Sequence, residues 1–228
     1  MLLSCCISTK NRPEALHNLL ESINHHTEDY ELVIHDDSIG ESIPVATAWN
    51  KCAEEAKGKY LVFLNDDMLV TEGWATSMIT FYENHPLVGS LAFKVMDDEG
   101  NIQSRGHSFK GLQPYLPDED VTTVDYSDHP FVKRSTWKRV GGFTAHGHLY
   151  YEDASFGLKL QSHGLFNYYN PDAVLIHNTI GLRTGTDEDK RRRTYNENVI
   201  QKQSKESFYE SWGEYLQHRD YQPFACDT

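Results

Sequence analysis

The chain has 228 residues, with 34 acidic against 21 basic side chains and a formal charge of −13. That length suits one sizeable domain, or one domain with an appendage, able to bury a core without staples, and the acidic balance argues against a broad electrostatic grip on nucleic acid. Mean hydropathy is −0.60 and no apolar run reaches 18 residues, so a soluble chain without a transmembrane segment is expected.

The opening residues, MLLSCCISTKNR, carry no basic lead before a long apolar stretch and read as a first strand over residues 2–8, not as a signal peptide. Cys5 and Cys6 fall inside that strand, Cys52 and Cys226 stand apart, and no CxxC occurs. Buried, reduced thiols in a cytoplasmic protein are therefore expected, and a cysteine zinc site is not. A helix follows, with Pro13 near its first turn and Leu16, Leu19, Leu20 and Ile23 on one face. YELVIHDDS is a second strand ending in an acidic pair. PVATAWNKCAEEAKG is a helix with Gly58 as its stop signal, and KYLVFLNDD is a third strand. This strand–helix alternation predicts a parallel sheet with crossover helices, an α/β architecture.

Farther along, TEGWATSMITFYENHP reads as a helix with Thr71 as N-cap and Pro86 beyond its end. Residues 88–109 read as two strands around a turn at Asp98–Asn101, and residues 111–128 as loop. After PFVKRSTWKRVGGF comes a loop rich in glycine and histidine, then a helix at ASFGLKLQSHG and a strand at AVLIHN. From Thr184 the composition turns charged and polar. This predicts one or two terminal helices packing back through Tyr195, Val199, Phe208, Trp212 and Tyr215.

Three strands end in polar groups: Ser8 to Arg12, Asp36–Asp37–Ser38, and Asn65–Asp66–Asp67. Each alone reads as a turn, and Asn11 alone as a helix cap. Together, at the carboxyl edge of a parallel sheet, they read as a ligand crevice. The chain has neither GxGxxG after the first strand nor GxxxxGK[ST], so phosphates in that crevice need another counter-charge. A divalent cation held by Asp67 would supply it.

These blocks, in this order, resemble the nucleotide-sugar-dependent glycosyltransferases of family 2, with the GT-A fold, over roughly residues 2–185. GWATSMITFYENHPLVGSLAFKVMDDEGNIQSRG is similar to the branch that includes rhamnosyltransferase-like enzymes. The resemblance implies a GT-A domain over 1–185, with a nucleotide-sugar-binding half at 1–100 and an acceptor-binding half at 101–185, and a C-terminal helical extension over 186–228. It implies that Thr9, Asn11 and Arg12 lie along the donor nucleotide, that Asp36 or Asp37 accepts a hydrogen bond from the base, and that Asn50 orders the pocket. Asp67 takes the final position of the DxD motif as main metal ligand (Mn²⁺ or Mg²⁺). Asn65 stands where the first acid often is, and Asp66 holds the variable middle, touching ribose or water. His177, ending AVLIH, would be a metal or diphosphate contact.

By the same resemblance Asp153 is the general base, with Glu152 orienting the acceptor or sharing the role, in a single inverting displacement. A UDP- or dTDP-linked donor is weakly preferred, and the acceptor is a glycan, glycoprotein or small molecule. His146 and His148 lie in a loop able to close over the site. Arg183 and Arg191 to Arg193 could hold an anion, or simply form a solvated face. Two rivals carry different chemistry: a catalytically silent nucleotide- or glycan-binding module, favoured by Asn65, and a glycosyltransferase acting on modified nucleic acid. A nucleotidyltransferase would want a glycine- and basic-rich loop where this chain has STKNRPE.

Overall fold

The computed structural model describes residues 2–118, 122–178, 191 and 194–219. The first half runs β1 (Leu3–Thr9), α1 (Pro13–His26), β2 (Tyr30–Asp36), α2 (Val45–Glu55), β3 (Tyr60–Asn65), β4 (Met68–Val70), α3 (Trp74–Asn84) and β5 (Val88–Asp97). The second half adds β6 (Ile102–Ser104), β7 (Ser108–Lys110), β8 (Gln113–Tyr115), β9 (Thr123–Val124), β10 (Phe131–Lys133), α4 (Arg134–Val140), α5 (Glu152–Ser162) and β11 (Phe166–His177). A five-residue π-helical turn, Asn196–Ile200, leads into α6 (Gln201–His218).

The main sheet of the described residues has the order β2-β1-β3-β10-β5-β11-β4, with β6 added to β5 and β9 to β11. β1 pairs in parallel with β2 and β3, and β5 with β11. β10 runs antiparallel to both β3 and β5, so residues 131–133 sit in the middle of the sheet. The apolar residues after the acid pair do not continue β3. They form β4 at the opposite edge, antiparallel to β11. Residues 111–128, expected to be loop, contain β8 and β9.

Both sheet faces are covered. On one, α1 and α3 bury Leu19, Ile23, Trp74 and Met78 against Ile7, Leu64 and Leu175. On the other, α2, α4 and α5 bring Trp49, Trp137 and Phe156 against Cys6, Phe63 and Val132. Burial of this kind is the dominant favourable term in folding. It also explains why Cys5, Cys6 and Cys52 are buried and free, their thiols pushed up by desolvation. Cys226 lies outside the described residues.

Three local expectations are corrected. Thr71 does not cap α3; Gly73 does, at φ 75°, while the Thr71 hydroxyl donates to the carbonyl of Val174. α2 stops at Glu55 with Ala56 as cap, before Gly58. Gly58 is needed for a different reason: a Cβ there would lie 2.6 Å from Ser4 Oγ and 2.7 Å from Ser4 N. In the extension, Phe208 is fully buried and Trp212 packs on the same cluster. Tyr195 and Tyr215, expected to pack back, are exposed. No helix of the described residues is long and apolar enough to cross a membrane.

Candidate active site

The parallel register sets the site. Thr9 is opposite Asp36, and Ser8 is opposite Asn65, so the three polar strand ends arrive at one edge. Thr9 Oγ1 donates to Asp66 Oδ2 at 2.7 Å. Arg12 Nη1 donates to Asp66 Oδ1 at 2.7 Å and to Asp67 Oδ2 at 2.9 Å. Asp66 is thus buried and engaged by the protein itself, which leaves it little freedom to touch ribose. Its burial raises its pKa against the opposing pull of Thr9 and Arg12.

Asp67 is shifted the other way. Burial works against its charge, but His177 and Arg12 outweigh it and hold the carboxyl well below the usual range. Nε2 of His177 lies 3.5 Å from Asp67 Oδ2, and Nδ1 of the same ring lies 2.7 Å from Gln103 Oε1. Asp67 Oδ1 is buried with no partner among the described residues.

This pair fits one side of a divalent-metal site. An orphaned carboxylate oxygen points to a missing partner, and the Gln103 carbonyl oxygen on Nδ1 would keep that nitrogen protonated when a bound ion takes Nε2. Two ligands are not a closed cage, and no cluster of three His, Cys, Asp or Glu able to hold a metal occurs among the described residues. Small divalent ions commonly take one or two protein ligands and complete their shell with substrate phosphates and water.

Two cavities adjoin at this edge. The first, of about 390 Å³, is lined by Thr9, Lys10, Arg12, Asp37, Asn65 and Asp67 among others. Within it Lys10 Nζ donates to Asp37 at 2.8 Å, Ser42 Oγ donates at 2.6 Å, and the Ile43 N–H donates at 2.8 Å. Against the opposing effect of burial, these bonds bring the Asp37 pKa down to about 2. Asn11, Asp36 and Asn50 are not in this wall. Asp36 turns onto the Ser38 N–H and hydroxyl, and Asn11 is exposed in the left-handed region at φ 53°. Asn50 accepts from the N–H of Phe143 and donates to its carbonyl, both at 2.9 Å, so it fastens α2 to the loop after α4 and does not face the cavity.

The second cavity, of about 370 Å³, shares Val45, Asn65 and Leu149 with the first. Glu152 and Asp153 line it from the first turn of α5. They follow Tyr150 and Tyr151, both in the left-handed region at φ 74° and 69°. Two successive tyrosines in that conformation are strained, and such strain persists only where the surroundings enforce it. The enforcement is visible: the Tyr151 ring stacks on Phe208 of α6 at 4.9 Å. Glu152 and Asp153 are both raised well above the ordinary carboxylate range, chiefly by burial and then by nearby carboxylates.

Two residues of this wall, Asp128 and His129, and His107 behind it went unnoticed in the sequence. Asp128 carries one of those neighbouring charges, and His107 Nε2 lies 2.9 Å from its Oδ1. His107 also stacks on Tyr126, centroids 5.1 Å apart. Burial opposes the His107 charge, yet Asp128 and then Asp153 raise its pKa. His129 is buried beside Asp128. The one signal was Asp128–His129–Pro130 directly before an apolar strand. The extension contributes as well: Asn196 lines the first cavity and Gln201 the second.

The histidine loop is held on both sides. The Val45 N–H donates to the His148 carbonyl at 3.0 Å, and His148 Nε2 lies 3.2 Å from Ser42 Oγ. Ser204 Oγ of α6 donates to the Leu149 carbonyl at 2.5 Å, and His146 Nδ1 lies 3.3 Å from Ser207 Oγ. Arg183, Arg192 and Arg193 lie outside the described residues, and Arg191 is exposed.

Residues 45–151, which span α2, Asp66–Asp67 and the loop before α5, match the model of glycosyl transferase family 2. Over these residues, just under half of its length, the chain is similar to that family. A curated relative, the O-antigen biosynthesis protein RfbC of Myxococcus xanthus, is 23% identical, covering 79% of this chain and 17% of the relative. Among solved structures, GalNAc-T7 with UDP, GalNAc and Mn²⁺ superposes with a TM-score of 0.66 at 12% identity, over 78% of this chain and 44% of that one. S. aureus TarS superposes at 0.62 and 13% identity, over 96% of this chain and 44% of that one. These neighbours give the chain the GT-A fold. The chain spans about a sixth of the curated relative and less than half of either solved structure.

Proposed function

We propose that this protein transfers a sugar from a nucleoside-diphosphate donor to an acceptor hydroxyl, with inversion at the anomeric carbon, in glycan or polysaccharide synthesis. The observation that carries the reading is the adjacency of two unlike cavities across Asn65. One holds the cations Lys10 and Arg12 with Asp67, and the other holds the carboxyl pair Glu152–Asp153.

In this reading the donor lies in the first cavity, with its diphosphate near Lys10, Arg12 and Asp67 and its base toward Asp37. A uracil or thymine N3–H is the natural partner for a carboxylate, which makes a UDP- or dTDP-linked donor the first to test. Asp67 and His177 would hold a divalent ion, which when bound supplies positive charge to the departing diphosphate. Asp153 accepts the proton of the acceptor hydroxyl as that oxygen bonds to the anomeric carbon. The carbon–phosphate oxygen bond breaks on the opposite face, and the diphosphate leaves with the electron pair. Glu152, with its raised pKa, retains a proton at neutral pH and orients the acceptor by donating a hydrogen bond. The pinned histidine loop excludes water, which limits donor hydrolysis.

The test is a panel of nucleoside-diphosphate sugars with Mn²⁺ or chelator, read by thermal stability and by product formation with glycoside acceptors. A donor that binds the native state at a hundredfold excess over Kd stabilises it by about 2.7 kcal/mol. One donor should give a metal-dependent shift that Asp67→Ala abolishes, and Asp153→Asn should keep that shift while losing turnover. Binding without turnover in the unaltered protein would favour the silent-module reading.

A further inference from the structure

We infer that the second cavity selects an acceptor sugar free of anionic substituents, and that Asp128 turns negatively charged acceptors away. This rests on the glycosyl-transfer reading and adds the acceptor's chemical class to it.

The argument begins with charge. Asp128, Glu152 and Asp153 line this cavity, and no lysine or arginine among the described residues does. The cations of the neighbourhood, Lys10 and Arg12, line the other cavity and are paired there with Asp37, Asp66 and Asp67. His107 stands behind Asp128, its charge already engaged at 2.9 Å. His129 is a poor counter-ion, because its burial works against a charge on the ring and lowers its pKa. A phosphate or carboxylate entering this space would meet Asp153 and the Asp128–His107 pair and, among the described residues of the wall, no free lysine or arginine, in surroundings where screening is weak.

Hydrogen-bonding capacity points the same way. Trp49 and His129 are buried residues of this wall, and Trp49 Nε1 and His129 Nδ1 have no partner among the described residues. Unmet buried groups in a cavity of this size call for a ligand or water to meet them. Trp49 needs an acceptor; Asp128 already meets Ser104 and His107, while Asp153 takes the Ala154 N–H on one oxygen and has room for a further donor. A sugar hydroxyl is both at once, whereas an anionic group only accepts. The Tyr126 and Tyr151 rings supply the apolar surface against which a sugar ring's C–H face packs. Cavities of roughly 300–1,000 Å³ with aromatic walls and a few polar groups are the usual form of a small-molecule site.

The experiment uses the full chain. Donor binding is established first, by the metal-dependent thermal shift, so that a failure of the glycosyl-transfer reading shows at that step. Matched acceptors are then compared: methyl glycosides of hexoses, the corresponding uronides, and their 6-phosphates. Binding is measured by calorimetry with saturating nucleoside diphosphate and Mn²⁺, and turnover with the donor. The neutral member should exceed its anionic partner by about tenfold or more in kcat/KM and in affinity, as expected for unscreened like charge. Asp128→Asn should shrink that ratio to about threefold or less, mainly through the anionic acceptor's KM. Equal or better use of the uronide or phosphate by the native chain overturns the inference. So does a bound donor with no neutral glycoside bound. An unchanged ratio in folded Asp128→Asn removes Asp128 from the role, and the native ratio stands as the independent test if that variant does not fold.

Discussion

Nε2 of His177, the last residue of β11, faces Oδ2 of Asp67 across 3.5 Å. The two residues are 110 positions apart in the chain, and β11 reaches Asp67 because it pairs antiparallel with β4, which begins immediately after the acid pair. The Asn178 N–H donates to the Asp67 carbonyl at 2.8 Å and fixes the alignment.

Gln103 sets the His177 ring from the far side, Oε1 2.7 Å from Nδ1. Replacing it by leucine should weaken Mn²⁺ affinity by roughly 10–100-fold, the usual cost of losing a partner that orients a metal-ligating histidine. Titration of Mn²⁺ in the presence of nucleoside diphosphate checks this, and an unchanged affinity would remove His177 from the proposed shell.

The raised carboxyls make a pH prediction with a definite sign. A carboxyl whose folded pKa lies above its unfolded value binds more protons when folded, so stability falls as pH rises between the two values. Glu152 and Asp153 are such a pair. Glu152→Gln should therefore raise Tm by a few degrees at pH 8 and by little at pH 4. Asp67 and Asp37 have the opposite sign, being held below their ordinary values. Their contribution is present above about pH 4 and is lost as pH falls further. In activity, the acid limb of kcat/KM should lie well above pH 4, because Asp153 must lose its proton to act as base.

Arg219, just beyond α6, forks onto Asp125 with Nη1 at 2.7 Å and Nη2 at 2.6 Å. Asp125 is fully buried, so Arg219→Ala leaves an uncompensated charge and should cost about 3–5 kcal/mol in urea denaturation. A loss below about 1 kcal/mol would mean that the extension is not anchored there.

Gly147 passes so close to Ser204 of α6 that a Cβ would collide with its hydroxyl. Gly147→Ala should displace the histidine loop, raise the acceptor KM by about tenfold and leave the donor thermal shift intact, since a small misplacement near the chemistry is costly. Adding Ser204→Ala should recover part of the loss, and a double-mutant cycle measures that coupling.

Much of the first hundred residues was legible because the signals there are local. Long apolar runs marked β1, β2 and β3, Pro13 opened α1, and the acids stood out at the strand ends. What the sequence hid were pairings between distant segments. The three-residue strand Phe131–Lys133 is too short to show a period, yet it is the sheet's central antiparallel member. Met68–Val70 follows the acids so directly that it looks like more of β3. In the site, the acid pairs were visible as pairs, but His107 and Asp128 meet across 21 positions through a turn-rich stretch without periodicity. Asn50 sits in α2 and looked like a ligand group; its two hydrogen bonds to the Phe143 backbone depend on where the loop after α4 runs, which no local pattern encodes.

The position of β10 has a consequence for how the chain is made. Residues 131–133 fill the gap between β3 and β5, two strands from the first hundred residues. Until a ribosome has released them, those strands present bare, strongly apolar edges, the kind of surface on which nascent chains aggregate. A gene fragment cut near residue 100 should therefore yield inclusion bodies and not a miniature nucleotide-binding domain. Its evolutionary counterpart is that the two halves of this molecule cannot be exchanged separately between relatives, because each completes the other's sheet.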